Sequence, residues 1–228
     1  MGSLEWWNGV FGFLNGVTDS SVASKRERPF IGERGQSFPS PSEGRAGMGL
    51  NIAMHDHHSH HLETPSAWVS RWADYIPSGG RVLDVACGSG RHARWLAARG
   101  HPVEALDRDS ALLTALADAP GVTTRCADIE AGPWPYAGQT FAAIVAVNYL
   151  HRPLFPHLLA AIASDGVLIY ETFAQGNERY GRPRNPDFLL RRGELLDVAR
   201  DALTVLGYED IFVAQPRPAM IQRICAVR

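Results

Sequence analysis

A glycine-containing loop in the first half of the chain has the residue types of a ligand-binding loop. The segment Val82–Gly90 reads Val-Leu-Asp-Val-Ala-Cys-Gly-Ser-Gly, an apolar run followed by two glycines. Glycine lets the backbone approach a ligand closely, and the N–H groups of a helix that follows favour anionic groups. Gly88 to Ala93 also satisfies the loose G-x-G-x-x-A dinucleotide pattern, which is weak by itself. We therefore predict a cofactor site at this loop.

Three acidic residues lie in or at the ends of three successive predicted strands, Asp84, Asp107 and Asp128. In an open α/β sheet the carboxyl ends of parallel strands surround the ligand. Taken singly, each acid is equally well explained as a solvated strand-end carboxylate. Asp84, just before the loop, would repel a pyrophosphate but would suit the ammonium and sulfonium groups of S-adenosylmethionine (SAM). We therefore expect SAM, with a NAD-dependent oxidoreductase as the alternative from another class.

Predicted strands and helices alternate along the chain, and they must position the glycine loop and the three acidic residues. Apolar runs predict strands, and amphipathic stretches with caps predict helices, the first opened by Thr64 as N-cap and Pro65 at N1. The strands are predicted at 81–85, 103–107, 122–128, 141–148, 167–173, 208–215 and 221–227, and the helices at 64–76, 91–99, 110–117, 154–163 and 193–206. Such alternation favours an α/β fold with a mostly parallel sheet. The last two strands are joined by too few residues for a crossover, so they are predicted to pair antiparallel.

The loop and the element order resemble those of class I SAM-dependent methyltransferases. Val82–Gly90 is similar to their motif I, and the element order is similar from about residue 64 to residue 228. The resemblance implies a Rossmann-like seven-stranded sheet, mostly parallel with a C-terminal antiparallel hairpin and with helices on both faces. It implies that Asp107 binds the ribose hydroxyls and that Asp128 faces the adenine amine. The cofactor-binding residues predicted from the loop and from this resemblance are Asp84, Ala86, Cys87, Gly88, Ser89, Gly90, Asp107, Arg108, Asp128, Ile129 and Asn148.

Within this class the chain most resembles small bacterial methyltransferases of the tellurite-resistance type. The segments that carry this resemblance are 148–153, Asn-Tyr-Leu-His-Arg-Pro; 170–173, Tyr-Glu-Thr-Phe; and the run from Gly181-Arg182-Pro183 through Phe188-Leu189-Leu190. These motifs are less specific than the glycine loop. They therefore give only weak evidence about which molecule accepts the methyl group.

Residues after the fourth predicted strand are candidates for catalysis. In this family, side chains that flank the transferred methyl group follow the fourth strand. The residues at this position here are Asn148, Tyr149, His151 and Arg152. His151 is a candidate general base because imidazole titrates near neutral pH, and it is equally well explained as a helix cap or a solvated side chain. Asn148 lacks the Pro-Pro-aromatic pattern of DNA amino-group methylation.

The loop after the fifth predicted strand carries the main basic concentration of the domain. We select Arg179, Tyr180 and Arg182 as substrate-binding residues, because arginine binds oxyanions and carboxylates through paired hydrogen bonds. A small anionic acceptor, either an organic acid or an oxyanion such as tellurite or selenite, would fit. Salt bridges within the loop explain the same charges equally well. Methylation of RNA or protein, or SAM binding without catalysis, are further alternatives.

The composition of the chain limits the kinds of molecule that the protein is expected to bind. The formal net charge of −2 gives no general attraction to nucleic acid or to an anionic membrane, so we expect a small-molecule substrate. No apolar run is long enough to span a bilayer. The three cysteines form no disulfide framework or zinc pattern, which favours a reducing cytoplasm. The composition does not indicate the oligomeric state.

The first part of the chain differs in composition from the rest. Residues 18–53 are rich in Gly, Ser, Pro and Arg without helical or strand periodicity, so we expect residues 1–61 to be a disordered extension and 62–228 to be the domain. Met54, or alternatively Met48, is a candidate true start. The segment 55–61 contains five histidines, for which we expect a solvated tail and no specific metal site.

Overall fold

The structure is a computed structural model that describes residues 64–228. Within this range the helices are α1 (Ala67–Trp72), α2 (Arg91–Ala98), α3 (Ser110–Thr114), α4 (Phe155–Ala160) and α5 (Glu194–Ala199). The strands are β1 (Val82–Val85), β2 (Val103–Asp107), β3 (Val122–Cys126), β4 (Phe141–Val147), β5 (Ile162–Phe173), β6 (Thr204–Val213) and β7 (Ala219–Val227). Short 3-10 turns lie at 73–75, 152–154, 177–179 and 186–188.

The strands form one sheet in the order β3-β2-β1-β4-β5-β7-β6. Strands β1 to β5 pair in parallel, whereas β7 is antiparallel to both β5 and β6. All four residues of β1 are buried, as expected for a central parallel strand covered on both faces. The predicted α/β fold with a C-terminal antiparallel hairpin is confirmed.

Side chains of the central strands alternate between two apolar clusters on opposite faces of the sheet. Leu83 and Val85 pack in the cluster that includes residues of α4 and α5. Val82 and Ala143 pack in the cluster that includes residues of α1, α2 and α3. Helices therefore cover both faces, and the carboxyl ends of the parallel strands are left to the loops.

The first helix begins two residues later than predicted. Ser66, not Thr64, is the N-cap, and its Oγ accepts the N–H of Trp68 at 3.1 Å. The same Oγ donates to Glu171 Oε1 on β5 at 2.8 Å. This tertiary contact explains the later start, because it attaches the cap residue to the sheet. Trp68 Nε1 donates to the carbonyl oxygen of Ile224 on β7 and attaches the helix at a second point.

Two predicted helices were too long because the residues at their ends pair with the sheet. The helix predicted to reach residue 163 ends at Ala160, and Ile162 pairs with Phe141 at the start of β5. The helix predicted to reach residue 206 ends at Ala199, and Thr204 pairs with Val227. Strand pairing satisfies the hydrogen-bonding groups of the backbone at these residues. A prediction from local helical periodicity does not take this pairing into account.

Several predictions concern residues before Thr64. The disordered extension, the start at Met54 and the histidine-rich segment 55–61 lie outside the described residues. Within 64–228, no helix is long and apolar enough to cross a membrane.

Candidate active site

The loop between β1 and α2 has the backbone of a ligand-binding turn. Ala86, Gly88 and Gly90 take positive φ angles of 53°, 56° and 77°. A Cβ at Gly88 would meet no atom within 4 Å, so this side of the loop is open, whereas a Cβ at Gly90 would lie 2.4 Å from the Leu116 side chain. Gly88 therefore leaves space for a ligand, and Gly90 is required for packing.

Asp107 ties the end of β2 to this loop. Its Oδ2 accepts the N–H of Gly88 at 2.8 Å, and its Oδ1 accepts the N–H of Asp109 at 3.0 Å. Each carboxylate oxygen has further acceptor capacity, and the half-buried side chain lines a cavity at the loop. The arrangement can accept hydroxyl donors from a ligand that lies against the open side of Gly88.

Asp128 is held in a tight turn after β3. Its Oδ1 accepts the N–H groups of Glu130 at 2.9 Å and Ala131 at 3.1 Å. These two hydrogen bonds, with Arg108 and His151 nearby, hold the pKa of the Asp128 carboxyl below its usual value. The side chain is exposed and stays ionised at neutral pH. Its turn orients the carboxylate at the cavity.

The first cavity lies across the carboxyl ends of β1, β2 and β3 and has a volume of about 200 Å³. Its wall is apolar where it meets the sheet, and its acidic groups come from the strand ends. The lining residues are Ala86, Leu106, Asp107, Arg108, Ala127, Asp128, Ile129, Glu130 and Tyr149. This combination fits a nucleoside, with an apolar surface for the base and carboxylates for its amine and hydroxyl groups.

Asp84 is buried and lines neither cavity. Its side chain is 1% exposed, and its Oδ2 has no hydrogen-bond partner. Burial raises the pKa of the Asp84 carboxyl to about 7, and the Ala93 N–H and the Arg91 guanidinium only partly oppose this. A buried carboxyl with an unpaired oxygen beside a glycine loop fits a cationic group of the cofactor. The ammonium of SAM is such a group.

The loop residues Cys87 and Ser89 were also predicted to bind the cofactor, and neither of them lines a cavity. Cys87 is buried beside Asp84 and Asp107, and burial with these two carboxylates raises the pKa of its thiol far above its usual value. It therefore stays a thiol and packs in the core. Ser89 is exposed, and its carbonyl oxygen accepts Arg94 Nη1 at 2.7 Å.

A second cavity of about 230 Å³ adjoins the first at the ends of β4 and β5. Glu130 and Tyr149 line both cavities. Asn148, at the end of β4, lines the second cavity and takes a positive φ of 59°. The complete lining is Glu130, Asn148, Tyr149, Leu150, Thr172, Phe173, Pro183 and Phe188.

Arg152 holds a loop in place. Its guanidinium donates to Glu194 at 2.6 and 3.0 Å and to the carbonyl oxygens of Asp187 and Leu189 at 2.7 and 2.9 Å. These contacts occupy the donors with which it would bind a substrate. His151 lines neither cavity and does not cap the following turn with its side chain.

The predicted substrate-binding residues lie on the surface. Arg179, Tyr180 and Arg182 are exposed, and none of them lines either cavity. The Tyr180 ring packs against Phe212 at 4.9 Å between centroids. Within residues 64–228, no group of three or more His, Cys, Asp or Glu side chains is placed to hold a metal ion.

Six residues that line the second cavity were not among the predicted site residues, namely Glu130, Leu150, Thr172, Phe173, Pro183 and Phe188. Glu130 directly follows Asp128-Ile129, so its place at a strand end was a usable signal. Thr172 and Phe173 end β5 and gave the same signal. Pro183 belongs to the following loop, whose path depends on the contacts of Arg152 and Glu194.

Comparison with known proteins identifies the domain. Residues 82–164 match the family model of a methyltransferase domain. The matched stretch runs from β1 into β5 and includes the glycine loop, Asp107 and Asp128. The cofactor of this domain is SAM. The open glycine loop, the acidic strand ends and the Asp84 oxygen without a hydrogen-bond partner all fit this cofactor. A search of curated protein sequences finds no match.

Solved structures share the fold of this methyltransferase domain. TehB from Haemophilus influenzae has a TM-score of 0.60 at 17% identity, covering 72% of this chain and 62% of its own. A TehB-like SAM-dependent methyltransferase from Corynebacterium glutamicum has a TM-score of 0.55 at 20% identity, covering 75% and 92%. A SAM-dependent methyltransferase from Mesorhizobium loti has a TM-score of 0.56 at 19% identity, covering 72% and 99%. The aligned part thus spans less than two thirds of the Haemophilus protein.

Proposed function

We propose that this methyltransferase transfers the methyl group of SAM to a small molecule bound in the second cavity. The observation that carries the proposal is the pair of adjoining cavities at the carboxyl edge of the sheet, with Glu130 and Tyr149 lining both. One cavity fits the nucleoside of the cofactor, and the other is of a size for a small acceptor. Transfer between them requires alignment of the two ligands and exclusion of water.

The cofactor residues have separate roles in this proposal. SAM supplies an electrophilic methyl group. Asp107 accepts the ribose hydroxyls while it holds the N–H of Gly88. Asp128 faces the adenine amine, Ile129 and Ala86 contact the base, and the open side of Gly88 lies against the amino-acid part.

The proposed catalytic residues have three different roles. Asn148 and Tyr149 line the acceptor cavity, so we assign them to contact with the acceptor. Arg152 is a positioning residue, because it holds the loop that contains Pro183 and Phe188. His151 lines neither cavity, and its role as a proton acceptor stays a prediction.

The anionic acceptor predicted from the sequence would depend on Arg179 and Arg182. These side chains are exposed and do not line the second cavity. An oxyanion such as tellurite or selenite, or an organic acid, would have to bind at the loop surface. Transfer assays with these anions test this alternative directly.

The location and extent of the enzyme are also part of the proposal. The cysteines at 87, 126 and 225 are free thiols, which supports a cytoplasmic location. We propose residues 62–228 as the catalytic domain, since every site contact described above lies within 64–228.

The experiment that tests the function is titration calorimetry of the full chain with SAM, with its demethylated product and with NADH. Binding of the first two at micromolar concentration, without binding of NADH, is the expected result. Absence of SAM binding by a folded sample would overturn the proposal, and binding of NADH would favour an oxidoreductase. Retention on RNA that falls steeply with salt would favour a nucleic-acid acceptor.

A further inference from the structure

The charge of the second cavity does not match the anionic acceptor that the sequence suggests. Of its eight lining residues, Glu130 alone has a carboxylate side chain, and no Arg, Lys or His is among them. A carboxylate in a partly apolar cavity attracts a cation and repels an anion. The lining therefore favours an acceptor that carries a positive charge.

Three aromatic rings reinforce this preference. Tyr149, Phe173 and Phe188 line the same cavity as Glu130. The faces of aromatic rings attract ammonium and guanidinium groups, and desolvation strengthens the attraction. The Arg217 guanidinium lies over the Phe173 ring, 5.9 Å from its centroid, so a ligand cation is attracted mainly by the other two rings. The apolar side chains of Leu150 and Pro183 leave room for a hydrocarbon part of the acceptor.

The Glu130 carboxylate is placed where the two ligands meet, beside the Tyr149 hydroxyl and the Arg108 guanidinium. Its N–H donates to Asp128 Oδ1 at 2.9 Å, which fixes the backbone of the residue. Its side chain forms an ion pair with Arg108 at 3.9 Å, and the Arg108 side chain is 68% exposed. A long pair with an exposed arginine contributes little and leaves the carboxylate able to bind another cation.

The Tyr149 hydroxyl adds a second polar group at this junction. Its Oη is buried and has no hydrogen bond of normal geometry. Burial and the neighbouring Glu130 carboxylate raise the pKa of the phenol, so the hydroxyl stays protonated. The hydroxyl and the Glu130 carboxylate therefore lie close enough to bind one polar nitrogen of a ligand together.

We propose that the acceptor is a small amine with an apolar or aromatic body, and that Glu130 is the catalytic residue that binds its ammonium group. This inference rests on the proposed function. Glu130 takes one proton from the ammonium and passes it to solvent. The nitrogen lone pair then forms the N–C bond to the methyl carbon as the C–S bond breaks, and the electron pair of that bond stays on sulfur. The product is a methylammonium ion and a neutral thioether.

The test compares acceptors of matched size and different charge with the full chain and labelled SAM. 2-Phenylethylamine, 3-phenylpropanoate and 2-phenylethanol differ mainly in the polar group, and selenite represents the oxyanions. We expect the label to pass to the amine and not to the carboxylate, the alcohol or selenite. Binding of the amine to the complex with the demethylated cofactor is measured in parallel by calorimetry.

Variants of one residue link the preference to Glu130. Glu130→Gln is expected to lower kcat/KM for the amine by about a hundredfold or more, and Glu130→Asp to recover part of it. Asp118→Asn is the matched control, because Asp118 is an exposed acid before the amino end of β3, at the opposite edge of the sheet. Because Glu130 also lines the cofactor cavity, kcat/KM for the amine is measured at saturating SAM, and the Kd for SAM is expected to stay within about threefold in Asp118→Asn.

Several outcomes would overturn the inference. Methylation of the carboxylate or of selenite in place of the amine would do so, as would an unchanged kcat/KM in Glu130→Gln. Binding of SAM without binding or methylation of the amine would also contradict it. Failure of the folded wild-type protein to bind SAM is a different result, because it overturns the proposed function itself.

Discussion

At the scale of single residues, Asp107 combines two tasks that are separable by mutation. Its carboxylate holds the N–H groups of Gly88 and Asp109, and we propose that it also binds the cofactor. Its position as the last residue of β2 follows directly from the apolar run that precedes it. The glycine loop and this acid thus form one unit, although 19 residues separate Gly88 from Asp107.

Asp107→Ala is expected to weaken SAM binding by about 1.5–3 kcal/mol, because it removes a charged hydrogen-bond acceptor. Asp107→Asn keeps one acceptor oxygen and is expected to lose less of the SAM-binding free energy than Asp107→Ala. Titration calorimetry measures both values against Asp118→Asn as the control. An unchanged Kd in Asp107→Ala would show that the carboxylate has only a structural role.

Asp84 makes the stability of the ligand-free protein depend on pH. Burial raises its pKa from 3.8 to about 7, so the folded protein keeps a proton that the unfolded chain releases. The folded state is therefore penalised progressively as pH rises from about 4 to about 7, by at most about 1.4 kcal/mol per pH unit. Below about pH 4 the penalty is absent.

Asp84→Asn removes this ionisation and is expected to stabilise the ligand-free protein at about pH 8 relative to wild type. At about pH 4 the two proteins are expected to differ much less. Urea unfolding at a series of pH values measures the difference. Parallel pH dependence in the two proteins would show that Asp84 is not the group responsible.

At the scale of elements, the two glycines of the loop between β1 and α2 have different functions. Gly88 has open space beside it, whereas Gly90 packs against Leu116. Both positive φ angles cost an alanine about 1–2 kcal/mol. Gly88→Ala is expected mainly to reduce SAM binding, and Gly90→Ala mainly to lower Tm. Calorimetry and thermal unfolding of both variants separate these effects, and the reverse pattern would contradict them.

The loop between β5 and α5 depends on a salt bridge that joins distant parts of the chain. Burial alone would raise the pKa of Glu194, but hydrogen bonds from Arg152 and Arg191 outweigh this and lower it. Arg152→Met is expected to cost about 2–3 kcal/mol, because it leaves a buried carboxylate without its main partner. Arg200→Met breaks an exposed pair with Asp197 and is expected to cost less than about 0.5 kcal/mol.

Urea unfolding measures both variants. Equal stability of the two would contradict the role given to Arg152. A loss of acceptor affinity in Arg152→Met, with SAM affinity unchanged, would further support its role in positioning the loop that contains Pro183 and Phe188.

At the scale of the whole molecule, residues 64–228 contain both cavities and the complete sheet. A chain that starts at Met54 is therefore expected to fold and to bind SAM with a Kd within about threefold of the full chain. Thermal unfolding and calorimetry of the two chains measure this. Loss of folding or of binding in the shorter chain would assign a role to the residues before Met54.

The sequence alone determined the features that depend on neighbouring residues. Apolar runs and turn residues were enough to predict the glycine loop, the acids in or near the ends of β1, β2 and β3, the element order and the antiparallel hairpin. Each depends on local conformation or on the common direction of parallel strands. The SAM cofactor follows from these features together with the family resemblance.

Only the tertiary structure decided the features that join distant segments. The second cavity brings Glu130 together with Phe173 and Phe188, residues that no local pattern connects. Arg152 was selected as catalytic, yet the structure pairs it with Glu194, 42 residues away. Ionic and packing partners depend on which loops meet in space. For this reason the acids that line the first cavity were predictable from strand ends, whereas the charge of the second cavity was not.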